Sequence, residues 1–216
     1  MRQRVVAMLV VAGFYLSAIP CIADSLWPNN AVNRWQALAL IESLNREILA
    51  SPSATTSLEK WCGDHQLAPE PKLVADAVTD AAPKPVSAEQ RQRLGVGPDE
   101  SVKYRRMRLR CGTHVLSEAN NWYVPSRLTL EMNRALETSD APFGRVVRPL
   151  EPYRRTFVAK IFWSPLSAPT TAAALDVPKE LFEHRAVLDT KDHLPFSEVD
   201  EIYQHDALDF QPIESQ

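Results

Sequence analysis

Cysteine is scarce in this sequence, with three residues in 216, and glycine numbers only six. No Gly-rich phosphate loop occurs, no Ser/His/Asp order suggests a nucleophilic triad, and no second ligand pair stands at zinc spacing beside Cys62-Gly-Asp-His65. No internal repeat is visible and no second domain announces itself. The longest uncharged apolar run, Val5 to Pro20, is shorter than the roughly 20 apolar residues a spanning helix needs, and it ends in proline. These gaps set aside a nucleotide-binding loop, a cysteine-based metal centre and a membrane anchor. No cofactor or metal is expected.

The same N-terminal run has another reading. Arg2 and Arg4 supply a basic start, the apolar run follows, and Cys21-Ile-Ala23 places small residues where a leader peptidase inspects them. This predicts a signal peptide over 1–23, cleavage after Ala23, and a periplasmic or secreted protein. Pro20 directly before Cys21 is a poor context for lipidation. The remaining 193 residues suit one domain, 24–216, large enough to bury a core without metal. Losing Arg2 and Arg4 leaves 22 Lys and Arg against 27 Asp and Glu, a formal charge of −5. That balance argues against nucleic acid or an anionic membrane as the main partner. Cys21 departs with the leader, and two thiols left in an oxidising compartment most simply pair. A Cys62–Cys111 disulfide is therefore expected, and the five His residues are read as surface or core fillers.

Periodicity divides the rest of the chain. Ala37, Ile41, Leu44 and Ile48 share one face of a helix over Asn33–Ala50, ended by Ser51-Pro52. A short helix follows, with Thr56 and Glu59 spaced as a capping box and Gly63 as its C-terminal cap. Leu73–Val78 reads as a strand, and Ser87-Ala-Glu-Gln90 opens a helix that stops near Gly95. Ser101–Cys111 and Val115–Val124 form a hairpin around Cys111-Gly-Thr-His114. Thr129 caps a helix over Leu130–Thr138, and Ala141-Pro-Phe-Gly144 leads into another helical piece. Thr156–Trp163 is a strand, Ser164–Pro178 a proline-rich loop, and Phe182–Asp189 with Pro195–Tyr203 a second hairpin. Together these predict an α+β fold, an antiparallel sheet of about six strands with helices covering one face.

Strand parity places Arg105, Met107, Leu109 and Cys111 on one face, with Tyr104, Arg106, Arg108 and Arg110 on the other. The first face is apolar enough to be core, so Arg105 sits at its edge. An arginine there needs an anion, from a buried carboxylate or from a ligand.

Several short motifs in order resemble the chorismate lyases: Arg105-Arg106, Tyr123-Val-Pro125, Leu130–Thr138, Ala141-Pro-Phe-Gly144 and Arg155-Thr-Phe157. Ser53-Ala-Thr55 upstream and Ser197-Glu198 downstream extend the likeness over most of the chain. Leu94–Glu100 through Pro125 also resembles the effector-binding (UTRA) domains of bacterial transcription regulators, which bind small molecules without converting them. The first resemblance implies removal of pyruvate from chorismate to leave 4-hydroxybenzoate, with arginines on the carboxylates and a Glu at the far end of a closed pocket. The first arginine maps to Arg106 if Cys111 anchors the alignment and to Arg105 if parity decides. The Glu becomes Glu198, the pocket Leu becomes Phe143 and an early pocket Met becomes Ala54. The second arginine is replaced by Asn121, which brings hydrogen bonds but no charge. Two functions follow as expectations. One is a lyase-like enzyme with Glu198 as acid and Arg105 or Arg106 as anchor. The other is a non-catalytic periplasmic protein binding a small aromatic carboxylate, with Phe143, Trp122 and Tyr123 to stack its ring and one Arg with Asn121 to hold a single carboxylate.

Overall fold

The computed structural model describes residues 27–79, 82–166 and 171–211; the expected signal peptide lies outside them. Helix α1 (Ala31–Ala50) starts where the Asn30 side chain accepts from the Asn33 amide at 2.8 Å. Its buried stripe is the expected Ala37, Ile41, Leu44 and Ile48. Each large aliphatic there contributes about 1.5–3 kcal/mol by leaving water. Helix α2 (Ala54–Asp64) begins earlier than its capping-box spacing suggested. Ser53, not Thr56, accepts the N-terminal bond, and the helix runs through Gly63 to a cap at His65. Helix α3 (Ala88–Leu94) has the reciprocal Ser87–Gln90 box, and Gly95 ends it at φ +60°.

Six strands form one antiparallel sheet: β1 (Leu73–Ala77), β2 (Lys103–Cys111), β3 (His114–Tyr123), β4 (Tyr153–Ile161), β5 (Glu180–Asp189) and β6 (Pro195–Gln204). Their spatial order is β1-β2-β3-β6-β5-β4. The α+β expectation holds. Between β3 and β4 the chain passes through α4 (Leu130–Thr138), capped by Thr129 as expected, and α5 (Phe143–Val147). The β2–β3 turn needs Gly112 twice over. Its φ is +57°, and a Cβ there would stand 2.8 Å from the Ala68 Cβ.

Two apolar clusters lie on the same sheet face. One joins α1 and α2 to Met107, Leu109, Phe182 and Tyr203, and the other joins α4 and α5 to Tyr123, Leu188 and Val199. Helix α3 lies on the opposite face, where Arg93 meets Glu198. The expected disulfide is present. Cys62 of α2 is bonded to Cys111, the last residue of β2, across 49 positions of sequence.

Candidate functional site

Between the two apolar clusters lies a small cavity of about 30 Å³, mostly apolar in its lining, with an ion pair on its floor. That is room for one or two waters. Four parts of the chain close it. The start of α2 contributes Ser53, Ala54 and Thr55, β2 and β3 contribute Met107 and Asn121, α5 contributes Phe143 and Gly144, and the sheet contributes Arg154, Val199 and Glu201. Gly144 allows α5 to lie against α2, since a Cβ there would stand 2.7 Å from Thr55 Oγ1 and 2.9 Å from Ser53 Oγ.

The cavity floor is an ion pair. Arg154 Nη2 donates to Glu201 Oε2 at 2.6 Å, and the Tyr203 hydroxyl donates to the same oxygen at 3.0 Å. The Arg154 and Glu201 side chains are only 4% and 8% exposed. Burial works against the Arg154 charge, but Glu201 and Tyr203 together more than offset it and hold the guanidinium's pKa up. Arg154 Nε is buried with no partner. Next to Glu201 across the β5–β6 pair lies His184, fully buried, with Nε2 2.6 Å from Asn45 Oδ1. Burial first, and the Arg154 charge second, push its pKa down to about 4, so the ring is neutral.

The residues singled out from sequence divide between the two sheet faces. Ala54, Asn121 and Phe143 converge on the cavity, and the Tyr123 ring lies 5.9 Å from that of Phe143. Arg105 is directly opposite Asn121 in the β2–β3 pair and shares its face. Arg106 points the other way and bonds Glu118 at 2.9 Å. Glu198 is also on that other face. It alternates with the cavity residues Val199 and Glu201, and both its oxygens accept from Arg93, each at 2.8 Å. Arg105 and Glu198 are therefore separated by the sheet, while Arg106, the other anchor the lyase reading allows, shares the face of Glu198 but is engaged by Glu118.

Sequence reasoning passed over Arg154 and Glu201. The alternation Ser197, Val199, Glu201, Tyr203 was a signal for the second. Among the described residues no group of three or more His, Cys, Asp and Glu is placed to hold a metal, and no helix is long and apolar enough to cross a membrane.

Fold and site together define an α+β domain with one antiparallel sheet and a small cavity beneath two helices. The chain is 41% identical to y4mC, an uncharacterized protein of Sinorhizobium fredii, over 96% of this chain and 93% of that one, and it belongs to the same family. No family model matches it. Among solved structures it is similar to PhnF from Mycobacterium smegmatis (TM-score 0.46, 13% identity, 76% of this chain and 68% of that one) and to the PhnF effector domain (TM-score 0.46, 14% identity, 76% and 95%). It also matches the possible transcriptional regulator YydK of Bacillus subtilis (TM-score 0.40, 13% identity), covering 67% of this chain and 62% of that one. Likeness at this level carries no weight for function.

Proposed function

We propose that this protein binds a small aromatic carboxylate in the cavity beneath α2 and α5 and does not convert it. The observation that carries the reading is the convergence of Asn121, Phe143 and Arg154 on one cavity whose only carboxylate is already engaged. Phe143 offers a ring wall, and Asn121 and the unpartnered Arg154 Nε offer donors for one carboxylate. At about 30 Å³ the cavity has room for one or two waters, so an aromatic ligand needs α2 and α5 to separate. Elimination of pyruvate from chorismate asks for more. It needs a free acid and clamps for two carboxylates, whereas Glu201 is held by Arg154 and Tyr203, and Glu198 faces away. The motif resemblance to chorismate lyases and UTRA domains supports a ligand site in this place without requiring the reaction. We further place the protein outside the cytoplasm as one domain over 24–216, a reading supported by the leader-like residues 1–23 and compatible with the disulfide.

The test is to export the full chain from its own N-terminus and collect it from the periplasm. Intact mass should begin at Asp24. Melting temperature is then followed against a panel of aromatic carboxylates, and chorismate is incubated while 4-hydroxybenzoate and pyruvate are measured together. A saturable rise in Tm without product, weakened in Asn121→Leu, is expected. Equimolar product would make the protein a lyase, and no shift with any acid would end the binding reading.

A further inference from the structure

The charged residues lining the inner cavity, Arg154 and Glu201, already cancel each other. A carboxylate that enters therefore leaves one negative charge in excess beside side chains that are almost wholly buried. An unmatched charge in such a place is costly, and the cost falls away if a proton comes in with the anion.

His184 is a neutral base beside the pair. It stands directly opposite Glu201 in the β5–β6 pairing, and none of its surface is exposed. Its Nε2 donates to Asn45 Oδ1, while Nδ1 is a buried lone pair with no partner. A proton can therefore be added at Nδ1 without breaking a bond. Every element packed against the ring has a definite part. Helix α1 brings the uncharged Asn45 amide, β4 the Arg154 charge, and β6 the Glu201 charge with the Tyr203 ring, whose centroid is 5.3 Å away. Tyr203 cannot accept the proton, because burial keeps its phenol protonated. Without a ligand, burial first and the Arg154 charge second keep the imidazole neutral. An anion seated on Arg154 cancels the second of these.

We propose that the inner cavity takes up its carboxylate together with one proton, and that His184 receives the proton. The inference rests on the reading of the cavity as a carboxylate site and adds how that site is regulated. The ligand arrives as the anion, the proton comes from solvent to Nδ1, and no covalent bond of the ligand changes. His184 touches no ligand; it acts through Arg154 and Glu201. The sign follows from linkage. The ligand-bound ring titrates above the value of about 4 that the free protein has, so affinity rises as pH falls through the bound value and levels off below about 4.

The test is isothermal titration of the exported protein with benzoate between about pH 5 and pH 8, with affinities referred to the benzoate anion. An opposite charge close by moves such a group enough that binding should be about tenfold tighter at the acid end. Toward that end the measured heat should also depend on the buffer's own heat of ionisation, which counts the protons taken up. His184→Gln cannot titrate and keeps a donor for Asn45. It should bind as wild type does at about pH 8 and show neither effect. Should that variant fold badly, the ring nitrogens of His184 in the wild type, followed by NMR, should titrate at higher pH with benzoate than without. An affinity independent of pH would overturn the proposal and leave the carboxylate reading standing. So would proton uptake that persists in His184→Gln, or identical NMR titrations with and without benzoate. No binding of benzoate at any pH would overturn it as well, and the other acids of the panel would then decide the carboxylate reading separately.

Discussion

Replacing Glu201 by Gln removes one charge from the floor of the inner cavity and almost none of its volume. Arg154 is then left 4% exposed with no anion beside it, and the Tyr203 hydroxyl keeps only an amide to bond. At an effective dielectric of 20, two unit charges about 4 Å apart attract by roughly 4 kcal/mol. Stripping one partner from a buried pair costs about 3–5 kcal/mol, since the survivor has lost both water and counter-ion. With a urea m-value of about 2 kcal/mol/M, the unfolding midpoint should fall by roughly 1.5–2.5 M. The double replacement Arg154→Met with Glu201→Leu should recover most of that loss, because no lone charge remains. Urea unfolding of the three proteins, disulfide intact, decides the matter. If Glu201→Gln cost less than about 1 kcal/mol, or the double variant were worse than the single, the pair would not be the buried unit described here.

Other outcomes follow from neighbouring features. Reducing Cys62–Cys111, which spans 49 positions, should lower stability by about 4 kcal/mol in the chain-entropy model; a loss under 1 kcal/mol on thiol treatment would contradict it. Gly144→Ala pushes a methyl against Thr55 and Ser53 and should cost about 1–3 kcal/mol, with Thr55→Ala restoring part of it in a double-mutant cycle. His184 has its folded pKa depressed to about 4, so between pH 6.5 and 4 the unfolded chain takes up a proton that the folded chain refuses. Its contribution is complete above pH 6.5 and is lost as pH falls toward 4, about 3 kcal/mol in all; stability in His184→Gln should fall less over that interval, and an unchanged slope would refute the assignment.

Much of the fold was legible because local signals agreed with tertiary ones. The 4-3-4 spacing of α1 and the parity of β2 each named the face that is buried, and Ser87-Ala-Glu-Gln90 marked where α3 opens. The α2 start was misread because both Ser53 and Thr56 are capping residue types, and only the packing of Ala54 and Thr55 against α5 selects the first. Asn121, Phe143 and Ala54 came together because motif order preserves the path of the chain. Glu201 and Arg154 did not emerge for two physical reasons. The middle of β6 is flanked by β3 and β5 and buried on both faces, so its alternation is faint. Strand β4 starts three residues before its expected beginning and has an irregular register between Thr156 and Val158, which scrambles parity where Arg154 needed it.

The disulfide also fixes how the inner cavity can open. Cys62 ties the C-terminal half of α2 to the last residue of β2, while Ala54, at the opposite end of the helix, closes the cavity. The eight residue steps from one to the other span about 12 Å of helix at 1.5 Å per residue. A swing of about 15° around the tethered end lifts the other by roughly 3 Å, the size of a water molecule, without disturbing the sheet. The cross-link thus adds a covalent tether at one end of a helix that buried Leu58 and Trp61, and the Trp61 Nε1 bond to the Ala207 carbonyl, already hold on the sheet.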